Sequence, residues 1–277
     1  WTSRNLTTEL NGPAIVGELS SLTTTDGFNV VGGRTAGGDL VIYHQTGGSN
    51  WTSVNLYDLL RDQSEPTPTF TSPIITYVTS WNGLNFGGLD SSGNIWTVWT
   101  GGGLNAWHAT NLSAITGAPT LVGGVTAYTT PWGGINLAGI DVNGDLTVTW
   151  WVPQFGGNWV QSNFSEQFGG PALRPGSVAS YVTNWNALNI AGVTEQGEIV
   201  QYWWVPPSSP DQDFWRVTPL TTDFDAALRR PSAGMLSGFA TQDSRLNLIG
   251  SSEDGHIVRL WWSPTTDWAL EDITNLT

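Results

Sequence analysis

Trp81, Trp132 and Trp185 each stand four residues before an asparagine, beside Asn82, Gly133 and Asn186. Those neighbours are turn formers, so the three indoles fall in connections between extended segments, where side chains meet water. Trp151, Trp204 and Trp262 open a second set of connections, with Pro153, Pro206 and Pro264 two residues on. A large ring is costly to leave in water, and two readings follow: the rings cover loops, or they face a ligand. Flat apolar rings flanked by amides suit sugars, because the C–H face of a pyranose lies on an aromatic face while its hydroxyls need directional donors and acceptors. The candidate binding set is therefore Trp81, Asn82, Trp132, Trp151, Trp185, Asn186, Trp204 and Trp262.

Other chemistries find less support. Asp141, Asn143 and Asp145 alternate like the ligands of a calcium loop, but the corresponding stretches are Ser91–Asn94 and Gln196–Glu198, so the acids do not recur and a plain turn is expected. His44, His108 and His256 fall at different places in the pattern and lack a metal-ligand or nucleophile–base spacing. Asp90, Asp141 and Glu253 could pair for acid–base work only if two came within a few ångströms, and they belong to separate repeats. No Gly-x-Ser-x-Gly or phosphate-cradling loop occurs. We expect no catalytic set, no metal and no cofactor.

The elements that must position these rings form a repeat. LNFGGLDSSGNIWTVWT (84–100), INLAGIDVNGDLTVTWW (135–151), LNIAGVTEQGEIVQYWW (188–204) and LNLIGSSEDGHIVRLWW (246–262) align without gaps, and FNVVGGRTAGGDLVIYHQ (28–45) aligns with one extra residue at its turn. Asn29, Asn85, Asn136, Asn189 and Asn247 mark the copies, with Gly32, Gly88, Gly139, Gly192 and Gly250 three residues later. A second glycine, at Gly38, Gly93, Gly144, Gly197 and Gly255, supplies the φ > 0 of a tight hairpin. Six residues past it comes a ring: His44, Trp99, Trp150, Trp203 or Trp261. A further strand follows from Trp51, Trp107, Trp159, Trp215 or Trp268. These strand indoles fill the space of about 10 Å between stacked sheets and read as packing.

Four short strands repeated five times predict an all-β fold, a β-propeller of five four-stranded antiparallel blades, with six blades or part of a longer array as the alternative. The whole chain, 1–277, reads as one propeller domain with approximate repeats 8–57, 58–113, 114–165, 166–221 and 222–274. Residues 1–7 resemble the last strand of a copy and read as an extra outer strand that could take part in ring closure.

Composition limits the partners. The net charge is −14, with nine arginines and no lysine, which disfavours nucleic acid and anionic membrane surfaces. No run of about 18 apolar residues exists to span a bilayer. With no cysteine, stability must come from apolar burial, to which 17 tryptophans contribute. The acidic, lysine-free composition points to a secreted or cell-surface setting. The longer connections 57–73, 165–175 and 221–231 carry most of the charge pairs and could meet a protein partner; they are the rival site.

The run from Gly139 to Trp159, a strand, an acidic residue, a glycine turn, a strand ending in Trp, a loop and a Gly-x-Trp strand, resembles the Trp-rich propeller lectins of bacteria, fungi and invertebrate haemolymph, including the five-bladed tachylectin type. The resemblance implies a non-catalytic, multivalent module with shallow sugar sites in or between blades, Trp serving as the stacking platform, and glycans or glycoproteins as partners. It does not extend to the Arg–Glu pair of fucose-binding members, because Arg34, Arg174, Arg216, Arg245 and Arg259 occupy unrelated repeat positions.

Overall fold

A computed structural model describes residues 3–275 apart from 103, 105, 208–213, 226 and 233. Trp1 and Ala226, which fall in segments discussed above, lie outside the described residues. The chain forms two compact units, Trp1–Ala118 and Pro119–Thr277.

Five four-stranded antiparallel sheets make up the fold, each with its strands in chain order. Unit 1 holds blade 1, with β1 (Val16–Thr23), β2 (Asn29–Arg34), β3 (Leu40–Gly47) and β4 (Asn50–Asn55), and blade 2, with β5 (Ile75–Val78), β6 (Leu84–Leu89), β7 (Ile95–Trp99) and β8 (His108–Asn111). Unit 2 holds blade 3, with β9 (Leu121–Thr129), β10 (Ile135–Asp141), β11 (Leu146–Trp151) and β12 (Trp159–Asn163). It continues with blade 4, β13 (Ala179–Val182), β14 (Leu188–Val193), β15 (Ile199–Trp204) and β16 (Arg216–Pro219), and blade 5, β17 (Ser237–Ala240), β18 (Leu246–Ser251), β19 (Ile257–Ser263) and β20 (Thr266–Asp272).

Within each unit, consecutive blades meet face to face, and the second strand decides how closely. Where blade 1 turns toward blade 2 it carries Gly32, whose missing Cβ leaves room for the edge of the Phe86 ring. Ala138 of blade 3 and Ile190 of blade 4 share one core, and Ala191 of blade 4 and Leu248 of blade 5 share another, so small residues again meet large ones. All of these non-glycine residues are fully buried. Each large apolar side chain so buried contributes roughly 1.5–3 kcal/mol.

The asparagine that ends the fourth strand in blades 1 to 3 has a second purpose. Asn55, Asn111 and Asn163 each leave the strand in an extended conformation and accept backbone N–H groups of the next turn, capping short helices α2 (Leu56–Asp62), α3 (Leu112–Thr116) and α4 (Phe164–Phe168). Gly117 and Gly169 stop α3 and α4 in the left-handed conformation. Asn5 does the same at the front of the chain: its side chain accepts from Thr8 N and caps α1 (Leu6–Leu10). This corrects the reading of residues 1–7 as a strand, since described residues 3–5 belong to no sheet and the rest is helix. The Tyr43 hydroxyl of blade 1 reaches Thr7 Oγ1 at 3.4 Å, as the Tyr202 hydroxyl of blade 4 reaches Ser165 Oγ at 3.1 Å, so α1 lies on blade 1 as α4 lies on blade 4.

One register also differs from expectation. Val30 pairs with His44 as Asn85 pairs with Trp99 and Asn136 with Trp150, so Val30, not Asn29, takes the asparagine's place. The turn of blade 1 has no extra residue: Thr35 N bonds Asp39 O as Asp90 N bonds Asn94 O. Gly33 is then the counterpart of Gly88. Two adjacent glycines allowed either alignment, and a valine meets the demand for burial here without the hydrogen bond that an asparagine would need.

Candidate functional site

The turn between the first and second strands is built alike in all five blades. A threonine opens it, and its Oγ1 accepts the N–H four residues later: Thr24 from Phe28 at 2.8 Å, Thr79 from Gly83 at 2.8 Å, Thr130 from Gly134 at 2.8 Å, Thr183 from Ala187 at 2.8 Å and Thr241 from Arg245 at 3.2 Å. The fourth residue, Gly27, Asn82, Gly133, Asn186 or Ser244, has positive φ. The third residue is thereby held at the tip, and it is Trp81, Trp132 or Trp185 in blades 2 to 4 but Asp26 and Asp243 in blades 1 and 5. Behind the tip, Asn85 and Asn189 donate to Gly83 O and Ala187 O at 3.1 and 3.2 Å. The buried amide nitrogen of Asn136 has no such partner.

In unit 2 these turns bring expected residues together. Trp132 of blade 3 meets Trp204 of blade 4 edge to face, with ring centroids 5.6 Å apart and planes at 69°. Trp185 of blade 4 meets Trp262 of blade 5 at 6.5 Å and 57°. Trp151 instead folds onto its own loop, donating from Nε1 to Gly157 O at 2.6 Å. In unit 1, Trp81 is 42% exposed. Asn82 ties its turn to that of blade 1, accepting from Thr25 N at 3.0 Å and donating to Asp26 Oδ1 at 3.4 Å. Asn186 contributes its left-handed backbone, φ 66°, to the Trp185 turn.

Below Trp132 and Trp204 lies a cleft between blades 3 and 4 of about 300 Å³. Trp150 and Trp215, expected only to pack, line it as well. Phe155, from the single turn Pro153–Phe155, stands T-shaped to Trp150 at 6.1 Å and is 70% exposed. Gln154 of that turn donates to Trp132 O at 3.2 Å and holds the loop beside the indole. The far wall comes from α4, where Phe164 packs on Trp215 at 4.8 Å and on Phe168 at 5.1 Å. Polar groups are few: Thr130, Asn136, Ser162 and Gln167. Ser162 Oγ receives the Trp150 indole N–H at 3.1 Å, fixing that ring. Trp99 and Trp203 are held in the same way by Thr110 and Thr218, and this hydroxyl, one residue before the last of the fourth strand, is a sequence signal for the ring's orientation. Among the described residues, no charged side chain lines the cleft.

The corresponding cleft between blades 1 and 2 is smaller, about 150 Å³, and different in kind. Asp26, His44 and Val30 stand where the larger cleft has Trp132, Trp150 and Asn136.

The other groups considered for chemistry are engaged elsewhere. Asp141 Oδ1 accepts from Asn143 N and Asp145 N at 2.8 and 2.9 Å, a turn closed on itself. Asp90 accepts from Ser92 N, Asn94 N and the Trp96 indole in the same manner. Glu253 pairs with Arg174 at 3.3 Å. His108 and His256 face Glu65 and Asp272. Among the described residues, no group of three or more His, Asp or Glu side chains could hold a metal ion.

No protein-family model matches the sequence, and no curated protein matches it. Among solved structures, the BP39L lectin of Burkholderia pseudomallei is similar with a TM-score of 0.51 and 15% identity, over 91% of this chain and 82% of that one. AofleA of Arthrobotrys oligospora, in a triple arginine-to-alanine form, gives a TM-score of 0.48 and 12% identity over 94% and 87%. The lectin of Aleuria aurantia, described as a six-bladed β-propeller, gives 0.46 and 11% over 91% and 93%. At such identities the likeness is one of architecture: the chain has the β-propeller fold, which it shares with the BP39L lectin.

Proposed function

We propose that this protein is a non-catalytic, lectin-like carbohydrate-binding propeller whose cleft between blades 3 and 4 takes the apolar face of a neutral sugar. The observation that carries the reading is the ring-walled cleft under the exposed edge of the Trp132–Trp204 pair, which has no charged side chain among its described lining residues. A pyranose C–H face stacks on an indole, while the hydroxyls of Thr130 and Ser162 and the amide of Gln167 at the rim meet sugar hydroxyls. The fold shared with a lectin is consistent with this role. The Trp185–Trp262 pair repeats the arrangement between blades 4 and 5, and weak sites repeated in one chain gain avidity on a surface bearing many glycans.

The test is a glycan array followed by calorimetric titration of neutral monosaccharides and disaccharides, with tryptophan fluorescence as the second readout. Trp132→Ala should weaken binding at least about tenfold, the equivalent of about 1.4 kcal/mol. Silence across a broad panel, or binding indifferent to Trp132→Ala, sinks the reading. A protein partner is a second reading, favoured by the exposed Leu228 beside Arg229 in the 221–231 connection. Replacing that connection would then abolish partner capture and leave glycan binding intact.

A further inference from the structure

We propose that the cleft between blades 1 and 2 is a second binding site with a different preference, taking the protonated amine of an amino sugar; this rests on the carbohydrate reading above. The argument is an account of which hydrogen-bonding groups are already engaged. Gln45 Oε1 accepts from Asn29 Nδ2 at 3.1 Å, and Gln45 Nε2 donates to Gly48 O. The Asn82 amide is engaged on both sides, by Thr25 N and by Asp26. The Thr24 hydroxyl accepts from Phe28 N. The side-chain amides and the hydroxyl of the cleft are thus engaged within the protein.

What remains is accepting capacity. Asp26 presents its carboxylate at the exposed tip of the turn, held below the usual carboxylate range by the Thr24 hydroxyl and therefore ionised. Deeper in, His44 is 8% exposed, and burial lowers its imidazole pKa, so the ring is neutral near pH 7 and keeps one accepting nitrogen. A neutral imidazole below and a carboxylate above suit a ligand rich in donors and carrying positive charge. Val30, Leu84 and Phe28 supply the apolar remainder of the wall. Among the described residues no indole lines this cleft, whereas Trp132, Trp150, Trp204 and Trp215 line its counterpart. The two clefts therefore divide the labour, one stacking neutral rings and the other reading a cationic substituent.

The experiment titrates the intact protein with D-glucosamine, D-glucose and N-acetyl-D-glucosamine, following heat and the NMR signals of the His44 ring. D-glucosamine should shift the His44 signals and the two neutral sugars should not. Asp26→Asn should weaken D-glucosamine about fivefold, the upper end for one exposed charge pair. His44→Phe, an aromatic swap at a position that is Trp in the other blades, should weaken it further, and Trp132→Ala should leave it unchanged. Neutral sugars moving His44 as strongly as D-glucosamine, or loss of D-glucosamine binding in Trp132→Ala, overturns the second site and leaves the carbohydrate reading standing. If no sugar binds anywhere, both fall.

Discussion

The clefts of the two units share a scaffold and differ in their side chains. In both, a threonine-clasped turn presents its tip above the second and third strands, and in both the next blade supplies a leucine, Leu188 or Leu84. Yet one is walled by indoles and phenyl rings, and the other by an imidazole, a carboxylate and amides. The difference follows from a handful of substitutions at equivalent positions: Trp132 against Asp26, Trp150 against His44 and Asn136 against Val30. Backbone architecture sets where the two clefts lie, and these few residues set the chemistry of their walls.

The comparison can be broken most forcefully at the packing beneath it. Phe86 is fully buried and fills the space over Gly32, so Phe86→Ala should cost about 3–5 kcal/mol. Denaturant unfolding of unit 1 and unit 2, followed separately by fluorescence probes, should place the loss in unit 1 and spare the neutral-sugar cleft. If both clefts fail together, the units do not report independently. Next in size is Trp204→Ala, which removes the partner of Trp132 and should reduce neutral-sugar affinity at least about tenfold, roughly 1.4 kcal/mol, by calorimetry. An unchanged affinity would move the stacking platform elsewhere.

Smaller still is the cap of α4. Asn163→Ala removes the acceptor of Glu166 N at 2.9 Å and should destabilise unit 2 by about 1 kcal/mol. Because α4 carries Phe164 and Phe168, sugar binding should weaken as well, while Asn55→Ala under blade 1 should leave it alone. The smallest effect is titration of His44. Its folded-state pKa is lowered by burial, so the stability gained from the neutral ring is present above the unfolded value of about 6.5 and is lost as pH falls below it. Between pH 7.5 and 5.5 the wild type should lose more stability than His44→Phe, measured as the shift of the urea midpoint. Equal losses would mean that the ring titrates freely.

Much of this molecule could be read from its residues. The hairpin glycines Gly93, Gly144, Gly197 and Gly255 all have positive φ, as a tight turn requires, and the repeat placed the blades. Trp132 and Trp204 stand out as candidate site residues because turn or loop formers follow them, but their pairing across two blades shows only in the structure. The register of blade 1 was hidden by the pair Gly32 and Gly33, which permits two alignments. Trp150 and Trp215 were hidden for another reason: alternation in a strand tells which residues share a face, not whether that face meets a neighbouring blade or an opening. Phe155, Phe164 and Phe168 come from connections outside the repeat, and no period announces them. Asp26 and His44 interrupt the Trp pattern, and that interruption is the signal of a divergent cleft.

The threonine clasp carries a further consequence. Since the side chain of the first residue and the left-handed fourth residue close the loop between them, the residue at the apex has no duty in shaping the backbone. Nature has already filled that apex with both indole and carboxylate across the five copies. It is an interchangeable tooth, and exchanging it blade by blade offers a route to reprogramming recognition without redesigning the sheets beneath.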